Sequence, residues 1–218
     1  LREQCGIRMQ VDVKHLGGIG QFVQVAHPFL VQGDDGFQRR RLAYRHAACL
    51  EAWANKRGEY VDGIGRLWKL AHAPEPVADY LAIVRSMNPD GPLRRYPGSP
   101  LIARYFLRPE DEAHLAELHP AEHDALARVG GFAHLHRQDG FQMANAICPP
   151  TPRRGLLLID PSYEIKADYD AIPRHIAKLA RKWNVGTIAL WYPILTDGRQ
   201  APMVKTLRTA DPEALLSE

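Results

Sequence analysis

The sequence predicts an α/β fold built around a parallel sheet, and three observations carry that prediction. Gly155-Leu-Leu-Leu-Ile159 and Gly186-Thr-Ile-Ala-Leu-Trp191 are short apolar runs, the pattern of strands buried on both faces. Between them, residues 168–183 set Tyr169, Ile172, Ile176, Leu179 and Trp183 at helical spacing, so those side chains should face inward. Strand–helix alternation extends over residues 113–194, as expected of right-handed βαβ units.

From the N-terminus onward the elements differ in clarity. Residues 1–51 are expected to be an aberrant or poorly structured segment. Glycines cluster at Gly17-Gly18-Ile19-Gly20 and Gly33-Asp34-Asp35-Gly36, and a basic run follows at Arg39-Arg40-Arg41. Only Phe22 to Val31 could be a strand there, and Pro28 interrupts it. Residues 52–218 are expected to form the folded domain. Trp53, Tyr60, Ile64, Leu67 and Trp68 fall at helical spacing. Val77, Leu81, Val84 and Met87 do the same, ending at the turn Asn88-Pro89-Asp90-Gly91. Arg94 to Ser99 reads as a loop, and Pro100 to Leu107 as the helix after it, with Pro100 near its first position. Ala113 to Leu118 alternates as a strand, Pro120 to Val129 is helical, and Ala133 to Arg137 is a further strand. Phe141 to Ile147 is a short helix stopped by Pro149-Pro150.

Composition removes several classes. At 218 residues and 45% hydrophobic, the chain can fill one core of ordinary size. Three widely spaced cysteines, Cys5, Cys49 and Cys148, oppose a disulfide framework or zinc knuckle and fit a reducing compartment. No apolar run is long enough to cross a bilayer, and the first residues lack the apolar core of a signal peptide. A soluble, cytoplasmic protein without membrane attachment is therefore expected. A net charge of +3 permits a polyanionic partner without requiring one.

The chemistry is expected beyond the carboxyl ends of the strands, where open parallel sheets bind ligands. Glu117, Asp139 and Asp160 each sit where a strand should end. A nucleoside cofactor needs acceptors for its ribose hydroxyls and its adenine amino group, and acids at successive strand ends can supply them. A single such acid could equally cap the next helix. Asp160-Pro-Ser-Tyr163 is more specific, since Asp-Pro-Pro-Tyr after an apolar strand marks methyltransferases acting on exocyclic amino groups of nucleobases. The amino lone pair is delocalised into the ring. A carboxylate and a backbone carbonyl accepting its two N–H bonds draw it out, while an aromatic ring stacks on the extruded base. Ser162 stands in place of the second proline and costs the loop some rigidity.

Other signals are weaker. His119-Pro-Ala-Glu-His123 matches an inverted zinc-protease pattern in letters only, because Pro120 should start a helix and leave His119 outside it. His134-x-His136 can place both rings on one strand face but shows no third ligand, so no metal site is expected. The basic pairs Arg94-Arg95, Arg153-Arg154 and Arg181-Lys182 could hold phosphates or simply face solvent. There is no Walker loop and no nucleophile elbow.

Taken in order, Gly58–Trp68, Tyr96–Arg104, Glu117-Leu-His-Pro120, Asp139-Gly-Phe141, Arg153–Glu164 and Ala189–Ile194 carry a resemblance. From about Trp53 to Ile194 the chain resembles the bacterial 23S ribosomal RNA adenine-N6 methyltransferases of the large-subunit methyltransferase J type. The resemblance implies a Rossmann-like class I S-adenosylmethionine methyltransferase sheet with a small helical insertion at about 58–95. By motif, Ser99, Glu117, Asp139 and Gly140 would contact S-adenosyl-L-methionine, and Asp160 would be the catalytic carboxylate. Pro161 and Tyr163 would contact the target base. Asp12-Val-Lys-His15 echoes a second family motif and adds His15 to the cofactor contacts. Tyr44-Arg45-His46 repeats the letters of a third and adds Tyr44 to the substrate contacts. The family's Asp-Thr-His-Ala-Gly-Ala-Gly loop has no match, and the family continues with further strands past residue 207, so the sheet is expected to be incomplete at both ends. The implied partner is 23S ribosomal RNA, free or partly assembled, and the implied state is a monomer. A DNA substrate, or a catalytically dead RNA-binding module, is the alternative.

Overall fold

The computed structural model describes residues 63–161, 163 and 165–217, together with the backbone of residues 21–26 and 47–49. Its strands are β1 (Gln21–Ala26), β2 (Ala47–Cys49), β3 (Arg95–Pro97), β4 (Glu112–Ala116), β5 (His134–His136), β6 (Leu156–Asp160) and β7 (Thr187–Leu190). Its helices are α1 (Ile64–Leu67), α2 (Glu75–Ser86), α3 (Ser99–Phe106), α4 (Pro120–Ala127), α5 (Gly140–Ile147), α6 (Lys166–Lys182) and α7 (Ala201–Ala210).

Among the described residues, five strands form one sheet in the order β5–β4–β1–β6–β7, and every neighbouring pair is parallel. The α/β expectation is met. Both faces are apolar, as parallel sheets require. Leu157 and Ile159 of β6 are fully buried with Ala116, Phe141, Met143, Ile172 and Leu179 on one face. Leu156 and Leu158, one residue out of step, pack with Ala113, Leu115 and Leu126 on the other. The period of two along β6 thus divides two cores. A third cluster, Ile64, Leu81 and Val84, lies beneath α1 and α2.

Trp183 shows why the α6–β7 turn is tight. Its ring is buried, and its indole N–H donates to the Arg153 carbonyl at 2.8 Å. A Cβ at Gly186 would lie 2.1 Å from that ring, so only glycine fits.

The structure departs from expectation in three places. Gln21–Ala26 falls on Phe22 to Val31, the one candidate strand in a segment otherwise expected to be poorly structured, and it is the central strand, paired with β4 on one side and β6 on the other. Its local pattern, Gln-Phe-Val-Gln-Val-Ala, is weak, and two flanking parallel partners decide it. Residues 94–99, expected as a loop, contain β3, which pairs antiparallel with β2. Helix α7 follows the last expected element. Trp53, Tyr60 and the glycine clusters lie outside the described residues. Among those described, no helix is long and apolar enough to cross a membrane.

Candidate active site

The strand order reverses direction between β1 and β6, because β4 and β5 lie to one side of β1 and β6 and β7 to the other. Open α/β sheets bind ligands at such a point, beyond the carboxyl ends. Register places the expected acids there. Ala26 of β1 is level with Asp160 of β6, and Val25 with Ala116 of β4. Glu117, one residue past Ala116, therefore stands level with Asp160, one strand to either side of β1. Two strand spacings put their main chains about 10 Å apart.

Each acid has a defined local role. The Glu117 amide donates to the His136 carbonyl at 3.0 Å, carrying the β4–β5 ladder one residue further. Its side chain is 2% exposed, and Oε1 accepts from the His119 amide at 2.8 Å. Asp139 caps α5, with Oδ1 accepting from the Gln142 amide at 2.8 Å, and buried Gly140 is the first helical residue. Here the helix-cap reading of a strand-end acid holds, but an ionised carboxylate has further acceptor sites. Ser99 opens α3, which runs into the amino end of β4, so Ser99 lies at the helix end away from that junction.

Asp160 is the last residue of β6 and is half-buried, and Pro161 beyond it is buried. Tyr163 has φ 57°, a left-handed conformation that a bulky side chain rarely adopts. It is not offered to solvent. The ring is buried, 4.9 Å from the Tyr169 ring, and its hydroxyl donates to the Trp191 carbonyl at 2.7 Å. Burial, then Tyr169 and Asp160, push its phenol well above the ordinary value. Stacking on a base would require the ring to leave this packing. His15, Tyr44 and Ser162 lie outside the described residues.

Several groups do not converge on this edge. Arg153 precedes β6 and donates to the carbonyl of Lys182 at the end of α6; Lys182 in turn donates to the Asn145 carbonyl. Both cations therefore sit at the amino end of the sheet, opposite the acids. Cys148 is buried, and burial pushes its thiol up to about 11, so it is a packing residue rather than a nucleophile. His119 precedes α4 as its N-cap, outside the helix that carries His123.

Sequence reasoning missed two features. A cleft of about 350 Å³ is lined by Lys166, Tyr169 and Asp170 at the start of α6 and by Asp197 and Arg199 after β7. It borders Tyr169, the residue that packs on Tyr163. The second is the missing partner of His134-x-His136: Glu112 and His114 of β4 lie beside it. Alternation of Glu112-x-His114 was visible, but its pairing with β5 was not.

Comparison with known proteins follows the same line. The family described as ribosomal RNA large subunit methyltransferase D, RlmJ, matches residues 45–218. The ribosomal RNA large subunit methyltransferase J of Escherichia coli (strain K12) is 41% identical over 172 residues, covering 77% of this chain and 59% of that protein. The protein of that name from Haemophilus influenzae is 43% identical over 173 residues, covering 77% and 58%. A crystal structure of a Legionella pneumophila protein aligns with TM-score 0.75 at 28% identity, over 91% of this chain and 69% of that one. The chain thus spans about 59% of the length of the Escherichia coli relative.

Proposed function

The chain belongs to the RlmJ family of ribosomal RNA large subunit methyltransferases, and on that premise we propose that it methylates N6 of an adenine in 23S ribosomal RNA. The methyl donor in this reading is S-adenosyl-L-methionine, and the sheet is of the Rossmann-like class I type. The compartment is the cytoplasm, and the chain acts as a monomer on free or partly assembled RNA. One observation carries the reading most: Glu117 and Asp160 stand level on either side of the central strand, at the point where the strand order reverses.

The residues at that edge fit a nucleoside-bearing cofactor. Glu117 is a buried carboxylate whose Oε1 accepts from the His119 amide, with the acceptor chemistry that a vicinal diol needs. Asp139, fixed by its cap, offers a second acceptor suited to an adenine amino group. Gly140 opens α5 without a side chain, and Ser99 and His15 complete the proposed contacts. When bound, the cofactor supplies an electrophilic methyl group on a sulfonium.

The chain's own work is on the target amine. Asp160 and the Pro161 carbonyl accept its two N–H bonds, which localises the nitrogen lone pair. No strong base is required, because the proton is shed from a nitrogen that has already become cationic. The hydrogen bond from Tyr163 to Trp191 anchors the chain just beyond Asp160. Contact of Tyr163 with the base follows if the ring turns out from Tyr169, and Tyr44 is a further proposed substrate contact.

The test is direct. Protein-free 23S ribosomal RNA is incubated with the chain and labelled S-adenosylmethionine, then digested to nucleosides. N6-methyladenosine is expected. A labelled product other than N6-methyladenosine, or none, overturns the reading.

A further inference from the structure

The amino end of the β4–β5 pair carries a cluster that the methyl-transfer reading does not use. His114 and His134 are direct partners across the ladder, as are Ala116 and His136. Paired residues of parallel strands point to the same face, and so do residues two apart along one strand. Glu112, His114, His134 and His136 therefore share one face. One donor atom each from Glu112, His114 and His134 lie within 4.8 Å of one another. Glu112 Oε2 is 3.9 Å from His114 Nε2. The His114 and His134 rings stack at 4.8 Å between centroids.

We propose that Glu112, His114 and His134 bind a divalent transition-metal ion of the zinc class, with His136 orienting His114. Two imidazoles and one carboxylate are a nitrogen-rich donor set, which suits zinc and its neighbours rather than magnesium or calcium. Tetrahedral zinc with bonds of about 2.0–2.2 Å needs donors roughly 3.4 Å apart. Glu112 and His134 are exposed, so side-chain rotation can close the remaining gap.

The outer contact is already in place. His114 Nδ1 lies 3.0 Å from His136 Nε2, and one of the two nitrogens donates. With the proton on His114 Nδ1, His114 Nε2 keeps its lone pair on the Glu112 side. That arrangement, a ligating histidine tied through its other nitrogen, is the usual support of a metal site.

The site is separate from the strand-end acids. Glu112 is level with Gln21, at the opposite end of β4 from Glu117. Its structural effect follows from what it joins. β5 has three residues and stands at one edge of the sheet, and an ion held by both strands would pin it to β4. The proposal does not depend on methyl transfer.

Chelator-treated chain is dialysed against zinc at pH 7.5, and bound metal and thermal midpoint are measured. One tightly held equivalent and a raised midpoint are expected. His134→Gln and Glu112→Gln, both at exposed positions that should not disturb folding, should each weaken zinc at least tenfold and abolish the thermal shift. Equal zinc affinity in wild type and both variants would place the metal on other histidines and overturn the proposal. So would an absence of zinc uptake, or magnesium binding as tightly as zinc.

Discussion

The two ends of the central sheet carry different chemistry. At the carboxyl end, Glu117, Asp139 and Asp160 come from three different strands, each one to three residues past or at a strand terminus. They are spread over three strand spacings, from β5 to β6. At the amino end, Glu112, His114 and His134 lie within two strands and hold their donor atoms within 4.8 Å. Strand termini diverge into loops, so side chains there can embrace an extended ligand such as a nucleoside. Paired residues within two adjacent strands are held in fixed register, so a cluster there fits one ion. The same sheet thus presents an open row from β5 to β6 at its carboxyl end and a compact cluster on β4 and β5 alone at its amino end.

The largest expected effect breaks the carboxyl end alone. Asp160→Ala should cut methylation of 23S ribosomal RNA on the order of a hundredfold to a thousandfold, the scale of losing a charge-stabilising group in the transition state. Cofactor affinity should change little. Single-turnover rates and calorimetric titration on the same protein separate the two, and near-normal turnover would remove Asp160 from the chemistry.

Glu117→Ala comes next. If Glu117 holds the cofactor as proposed, this removes charge-assisted hydrogen bonds worth about 1.5–3 kcal/mol, roughly tenfold to a hundredfold in the cofactor dissociation constant. An unaltered constant would reduce Glu117 to the turn residue that holds the His119 amide.

At the amino end the expected effects are on stability rather than chemistry. Gly186→Ala drives a Cβ into the Trp183 ring, an overpacking cost of about 1–3 kcal/mol. Denaturant midpoints should fall while the cofactor dissociation constant holds. A neutral result would mean that the Trp183 ring can move aside.

The smallest effect is titration of the histidine cluster. Burial first, then the neighbouring His134, depresses the pKa of both His114 and His136 in the folded chain. The unfolded chain therefore binds more protons below its own histidine pKa of about 6.5. Stability is complete above that pH and declines as pH falls through it. Thermal midpoints with chelator present should drop from pH 7.5 to 5.5, and the double variant His114→Gln/His136→Gln should show a shallower fall. Equal slopes would assign the pH dependence to other groups.

Much of this was legible in the sequence. The all-apolar β6, the inward row Tyr169, Ile172, Leu179 and Trp183 on α6, and strand-end acids at Glu117, Asp139 and Asp160 follow from local periodicity and position. Burial on both faces leaves an unmistakable run, and an acid after such a run marks the strand's end. What local pattern could not settle was pairing. Phe22 to Val31 reads as no more than a candidate strand, yet Gln21–Ala26 is the central strand because β4 and β6 supply hydrogen-bond partners on both sides. Arg95–Pro97 reads as a loop until Ala47–Cys49 pairs with it. Tyr163 reads as a stacking residue, and only the fold turns its ring inward onto Tyr169. His134-x-His136 stood without neighbours in the sequence until register set His114 across from His134. Periodicity is a property of neighbours in sequence. Register joins residues twenty or more positions apart, and it is decided when the strands meet.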